Sequence, residues 1–271
     1  MIDLPGLIYS QVEQENEKRV RKIRHYPSSA CAITKDGFVG KCRRASYYSL
    51  MQFEPTNPIP GVNLFKMEIG NMLHDYVSNL LSRALEREFG SKYKSIWNEQ
   101  TEEGEGEFVW DHPNLDLPIS GRLDKVFMLD GRRIGCEWKS TFGAGVTSIK
   151  KNGPKIETLL QCLIYLEQEI VPVDAIVLGT IARDSGYVYG FVVEQNKGIN
   201  IKSLHSDVTY HYDLKFDMVI EGLQSLERSY RNKELPSKDY TAKVNENKLT
   251  RNSDWQCRYC SYRSLCWGVE E

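Results

Sequence analysis

Apolar residues recur at three- and four-residue spacing between Asn63 and Phe89, through Leu64, Ile69, Leu73, Tyr76, Val77, Leu80, Leu81, Ala84 and Leu85. This pattern predicts one long amphipathic helix. A second stripe (Ile156, Leu159, Leu160, Leu163, Ile164, Ile170) predicts a helix over Lys155–Ile170. Asp207–Arg231 predicts another long helix, ended by Leu235-Pro236, and a polar one is expected over Gln11–Arg24. Ala175–Ala182 and Tyr187–Val193 read as strands around the turn at Asp184-Ser185-Gly186, and Phe108–Leu117 as a strand and turn. Gly143–Gly153 reads as a glycine- and lysine-containing loop. The acidic stretch with Glu99, Glu102, Glu103, Glu105 and Glu107 reads as a solvated connection.

Between these elements lies Ile119–Thr141, ISGRLDKVFMLDGRRIGCEWKST, which predicts two strands joined at Asp130-Gly131. A type I′ turn needs positive φ at both central positions, and this dipeptide supplies it. Leu129 then faces Arg132, and counting outward sets Asp124 opposite Glu137, with Lys139 on the same face and Gly135 leaving room beside them. Leu123, Phe127, Leu129, Ile134, Cys136 and Trp138 form the opposite, core-facing set. Two opposed carboxylates repel and destabilise the sheet, so a divalent cation is the natural counter-charge. His74, four residues after Gly70 on the long helix, shares a face with that glycine, which clears space beside the imidazole. Gln161 and Tyr165 share a face of the following helix.

Composition narrows the function classes. The 35 basic and 37 acidic residues give a net charge of −2, so no global field draws in nucleic acid and any such contact is local. Arg43 and Arg44, and Lys150, Lys151 and Lys155, are local basic groups. No P-loop is present: the segment from Gly37 to Gly40-Lys41 is too short and Cys42 stands where Ser or Thr is needed, which excludes a nucleotide-driven motor in this chain. No long apolar run or charged-then-apolar leader occurs, so a non-secreted chain with no membrane partner is expected.

Seven cysteines in such a chain point to metal ligation rather than disulfides. The tail WQCRYCSYRSLCW places Cys257, Cys260 and Cys266 at a spacing at which two thiolates bind one metal centre, with the third in reach. The fourth ligand would be Cys42 or Cys31, and spacing alone does not separate zinc from iron–sulfur. Trp255, Tyr259, Tyr262 and Trp267 would shield such a centre.

His74, then G-R-L-D at 121–124, E-W-K at 137–139 and Q-C-L-I-Y at 161–165, in this order, resembles a PD-(D/E)xK nuclease of the RecB type. Cys42 in C-R-R-A-S-Y-Y, ahead of the tail triplet, makes the chain similar to the iron–sulfur branch of that family. That branch contains CRISPR-associated RecB-like exonucleases, their phage relatives and the nuclease domain of AddB. The resemblance implies an α/β restriction-endonuclease-like core with a mixed central β-sheet flanked by helices. It implies a single nuclease domain over 1–271, with a core at about 61–234 and a cysteine-cluster lobe from about 26–60 and 235–271. His74, Asp124, Glu137 and the backbone carbonyl of Trp138 would ligate Mg²⁺ or Mn²⁺. Lys139 would orient the attacking water, and Gln161 and Tyr165 would position the metal-site residues. Cys42, Cys257, Cys260 and Cys266 would hold a [4Fe–4S] cluster, with Cys31 the alternative to Cys42. Arg43, Arg44, Lys150, Lys151 and Lys155 would contact DNA, single-stranded ends above all. A helicase, recombinase or integrase partner and a cytoplasmic setting in a bacterial, archaeal or phage-infected cell are implied. The expected activity is metal-dependent DNA exonucleolysis in recombination, repair, phage DNA processing or CRISPR adaptation. The alternatives are a DNA-end-binding adaptor that keeps the fold, or a zinc-stabilised binding module.

Overall fold

The structure is a computed structural model that describes residues 3–19, 22–96 and 106–269. Helix α1 (Leu4–Glu17) precedes the hairpin of β1 (Cys31–Thr34) and β2 (Gly37–Gly40), helix α2 (Arg43–Leu50) and the long helix α3 (Gly61–Phe89). Strands β3 (Tyr93–Ser95), β4 (Glu107–Trp110), β5 (Ile119–Arg122), β6 (Lys125–Leu129) and β7 (Arg132–Thr141) follow, then helices α4 (Gly143–Asn152) and α5 (Ile156–Glu167). After them come β8 (Ala175–Ala182), β9 (Val188–Gln195), β10 (Ile199–Ser203), β11 (Thr209–Tyr212) and α6 (Phe216–Asn232). The tail carries β12 (Val244–Asn245), β13 (Lys248–Leu249), α7 (Trp255–Arg258) and α8 (Arg263–Trp267).

The central sheet has seven strands in the order β11-β10-β9-β8-β7-β6-β3. Its pairs are antiparallel except β7 with β8, which run parallel in register from Ile134↔Ala175 to Thr141↔Ala182. A parallel pair needs a crossover, and α4 and α5 supply it. The expected mixed α/β architecture, a mixed central sheet flanked by helices, is therefore present. The β6–β7 ladder pairs Leu129 with Arg132, as the sequence predicts, around Asp130 and Gly131 at φ 49° and 80°.

Alternation along β7 and β8 divides the core. Phe127, Cys136, Trp138 and Ile181 face α3, where Leu73, Val77, Leu81 and Leu85 cover them. Val126, Ile176 and Leu178 face the other way, into a larger core with Val146 of α4, Leu159, Leu160, Leu163 and Ile164 of α5, and Val219 and Leu223 of α6. Helix α3 spans the predicted range, but its apolar stripe is narrower. Ile69, Tyr76 and Leu80 are exposed, because only one face of the helix meets the sheet.

Several sequence expectations are corrected. The first helix runs over Leu4–Glu17 rather than Gln11–Arg24, with Asp3 accepting the Gly6 N–H at its N-terminus and Pro5 in its first turn. Residues 20 and 21 of the expected span lie outside the described residues, as do Glu99, Glu102, Glu103 and Glu105 of the acidic stretch. Gly143–Gly153 is a helix, because Asp184 accepts the Gly143 N–H at 2.9 Å and so caps α4 from a distant turn. The expected helix over Asp207–Arg231 begins only at Phe216, its first part being strand β11 paired with β10. Leu123 belongs to the larger core, since the chain kinks between β5 and β6, and it sits over Gly135: a Cβ there would lie 3.0 Å from Leu123 and 2.8 Å from Ile176. Gly135 thus leaves room for core side chains rather than for a ligand.

The two ends of the chain meet. Asn57 donates through Nδ2 to Ser264 Oγ at 3.0 Å and through its peptide N–H to the Ser261 carbonyl at 2.9 Å, and Tyr48 packs on Tyr262. A buried pair ties α6 to the segment before β5. His25 Nε2 lies 2.9 Å from Glu227 Oε1, and Glu227 also accepts the peptide N–H groups of Asp116 at 3.0 Å and Leu117 at 2.9 Å. Among the described residues no helix is long and apolar enough to cross a membrane.

Candidate active site

The centre of β7 carries the chemistry because its two faces have different neighbours. Glu137 points toward α5, where it is buried, and its Oε1 accepts from Lys139 Nζ at 2.5 Å and from Gln161 Nε2 at 3.0 Å. Lys139, two residues on and one third exposed at its side chain, also donates to Gln161 Oε1 at 2.9 Å. Gln161 donates to Tyr165 Oη at 2.8 Å, and Tyr165 donates to the Arg122 carbonyl at 2.9 Å. The i, i+4 pair on α5 thus links Glu137 of β7 to the last residue of β5, two positions before Asp124. Burial raises the Glu137 carboxyl above its ordinary range; the Lys139 ammonium opposes this and Asp124 adds to it. Burial likewise raises the Tyr165 phenol well above its usual value, so it remains a neutral donor at physiological pH.

Asp124 sits just beyond the regular β6–β7 ladder, which ends at Lys125↔Cys136. Its peptide N–H is given to the Cys136 carbonyl at 3.0 Å, one residue out of register, so it is not directly cross-paired with Glu137. Its carboxylate accepts the Trp138 N–H at 2.6 Å and lies 3.6 Å from His74 Nδ1. The backbone of Trp138 therefore reaches the site through its N–H, and a metal-ligand role for its carbonyl stays an expectation.

His74 arrives from α3 on the other side of the sheet, and sequence reasoning missed what places it. Trp138 Nε1 donates to Ser78 Oγ at 2.8 Å, one helical turn from His74. The indole lies across Gly179 of β8, where a Cβ would collide with the ring. One residue thus pins α3 through its side chain and Asp124 through its backbone. Ser78 at i+4 from His74 was the available signal. Gly70 makes room for Ser140 rather than for the imidazole, since its Cβ would lie 3.0 Å from Ser140 Oγ.

The donors of this centre suit a hard divalent cation in type: two carboxylates and an imidazole whose Nε2 is buried with no hydrogen-bond partner among the described residues. As they stand, no three His, Cys, Asp or Glu side chains among the described residues gather closely enough to hold an ion. Lys139 holds Glu137 instead.

Beside Lys139 opens a cleft of about 930 Å³ between the end of β7, the α4–α5 connection, Phe38 of the β1–β2 hairpin, Tyr240 and Trp255. Lys155 lines it, with Nζ 5.4 Å from the Trp255 ring. Lys150 instead lies 4.0 Å over the Tyr187 ring, and Lys151 is exposed on α4, outside the cleft wall. Arg43 and Arg44, the expected DNA contacts, are engaged by partners within the chain. Arg43 forms a fork on Asp239 at 2.6 and 3.1 Å, and Arg44 donates to the Pro236 carbonyl at 2.8 Å. Both partners are distant in sequence, which local reading does not see.

Cys42, Cys257, Cys260 and Cys266 line one small cavity together with Arg44 and Arg263. Cys31 lies instead in β1, within the large core. Burial raises the Cys257 thiol to about 11 and the Cys31 thiol to about 12. Cys42, and not Cys31, thus shares a cavity with the three tail thiols, which as they stand do not gather closely enough to hold a metal; a cluster or zinc centre there stays an expectation. Were the chain to carry the cluster that its resemblance implies, replacing Cys42 by serine would be expected to remove most bound iron and sulfide from protein purified without oxygen. Cys31→Ser retains both, as read by metal and sulfide analysis; equal loss in the two variants refutes this ligand choice.

No protein-family model matches the chain, and no curated protein matches it. Among solved structures it is similar to SSO0001, known from a crystal structure. The likeness covers 99% of this chain and 98% of that chain, with a TM-score of 0.50 and 15% sequence identity. At that identity the likeness concerns the fold, a mixed α/β sheet flanked by helices.

Proposed function

We propose that this chain is a metal-dependent deoxyribonuclease of the PD-(D/E)xK kind that hydrolyses phosphodiester bonds, acting on single-stranded ends. The observation that carries the reading is the closed set Lys139–Glu137–Gln161, with Asp124 and a His74 Nε2 that has no partner among the described residues beside it, at the edge of a cleft. A phosphodiester is an anion that repels hydroxide, so its hydrolysis needs fixed positive charge. A divalent cation held by His74, Asp124 and Glu137 would supply that charge and acidify water.

The residues of the chain divide the remaining work. In the reaction a water oxygen bonds to phosphorus, the bond to one sugar oxygen breaks, and the departing oxygen takes up a proton. Lys139 Nζ has three donors and reaches the cleft, so it can orient the water and stabilise charge building on the phosphate oxygens. Gln161 holds Glu137 and Lys139 in a fixed relation, and the neutral Tyr165 anchors Gln161 to the Arg122 backbone. Lys155 stands where an incoming phosphate would pass, making binding salt-dependent.

The test is an incubation of end-labelled single-stranded DNA with purified protein and Mn²⁺ or Mg²⁺. Progressive shortening that chelation abolishes is expected, whereas a circular strand is spared. No cleavage with either ion overturns the reading.

A further inference from the structure

Three hollows lie end to end on the side of the molecule that carries Lys139. The first is the cleft of about 930 Å³. The second, about 370 Å³, is reached past Trp255 and Gln256 and is lined by Lys41 and Ser46. The third, about 520 Å³, is reached past Tyr259 and is lined by Lys248 and Arg258. Each junction is therefore marked by an aromatic ring of the tail. Trp255 is 48% exposed and Tyr259 is 75% exposed, so each presents a ring face to the groove. Each ring has a cation beside it: Lys155 Nζ at 5.4 Å from the Trp255 centroid and the Arg258 guanidinium at 5.7 Å from that of Tyr259. Arg258 Nε is buried with no hydrogen-bond partner among the described residues. The acidic group on the path, Glu157, accepts from Gln256 at 3.3 Å in the first turn of α5, where the helix N-terminus offsets its charge.

Exposed ring faces alternating with cations along a groove are what a single nucleic-acid strand requires, because every base has a π-face and every linkage a negative charge. An acidic peptide would satisfy the cations but leave the rings without partners. We propose that a single strand engaged at Lys139 continues over the cysteine-bearing tail, its bases stacking on Trp255 and then Tyr259. The tail would thus be a strand guide as well as a clasp. This inference deepens the nuclease reading and rests on it.

The test measures binding of a labelled oligothymidine of about 16 nucleotides to the full chain carrying Lys139→Ala, so that cleavage does not interfere. Adding Tyr259→Ala or Trp255→Ala is expected to weaken binding about tenfold each. Trp255→Phe is expected to bind near the parent level, since a phenyl face remains. An abasic strand of equal length is expected to bind more weakly than oligothymidine and to be indifferent to both alanine substitutions. Tyr259 projects into solvent, so its removal leaves the fold intact. Unchanged affinity in Tyr259→Ala, equal binding of abasic strand and oligothymidine, or competition by polyglutamate as effective as by oligothymidine overturns the guide. The nuclease reading is checked separately by incubating end-labelled single-stranded DNA with the wild-type chain and Mn²⁺ or Mg²⁺. Cleavage of that DNA by the wild-type chain with unchanged Tyr259→Ala binding rejects the guide alone. Absence of cleavage with ring-dependent strand binding rejects the nuclease reading and leaves the track as a binding site.

Discussion

Replacing Lys139 by alanine is expected to lower DNA cleavage by about 10²–10³-fold, the range for removing one preorganised donor from a site of developing charge. Two effects combine. The variant loses a cation that lines the cleft, and it strips from buried Glu137 the 2.5 Å partner that opposes the effect of burial on its carboxyl. Protonated Glu137 would bind a cation poorly, so the variant should need more Mn²⁺ for half-maximal rate as well as turning over more slowly. Lys139→Arg is not expected to rescue it, because a planar guanidinium cannot reproduce the point contact shared by Glu137 Oε1 and Gln161 Oε1. Initial rates across a Mn²⁺ series, with circular dichroism confirming the fold, decide the matter. Wild-type rates in Lys139→Ala would remove the site from the chemistry.

Truncating Glu227 to alanine is expected to be the most damaging single change outside the site, costing about 3–5 kcal/mol. The loss leaves the buried His25 without its partner and removes the acceptor of two partly buried peptide N–H groups, those of Asp116 and Leu117. The same pair gives stability a direction with pH. Burial alone would raise the Glu227 carboxyl, but the bonds from His25, Asp116 and Leu117 outweigh it and hold the carboxyl below its ordinary value. A carboxyl depressed on folding stabilises the native chain fully above the unfolded value and loses that contribution as pH falls through the folded one. Denaturation midpoints between about pH 7 and about pH 3 should therefore decline more steeply in wild type than in Glu227→Gln. Parallel declines would show that the pair contributes nothing.

What was legible in the sequence was local. The Asp130-Gly131 turn encodes its own backbone conformation, the α3 stripe its own period, and the i, i+4 spacing of Gln161 and Tyr165 their shared face. What was hidden was held from afar. Helix α4 looked like a loop because its cap, Asp184, belongs to another turn. Arg43 looked like a surface cation because Asp239, which captures it, lies near the other end of the chain. The latch of Trp138 on Ser78 was equally silent, because it needs both the helix and the glycine of β8 to be in place.

The union of the two ends sets an order in time. Glu137, Lys139, Gln161 and Tyr165 all belong to one strand–helix–strand crossover that can form as soon as β8 has been synthesised. Part of the cleft wall, Trp255 and Gln256, lies far beyond that crossover in sequence, as does the partner that Asn57 finds in Ser264. Contacts of such long separation form late and slowly. The side chains around Glu137 can therefore be set in place before the cleft wall that Trp255 and Gln256 complete.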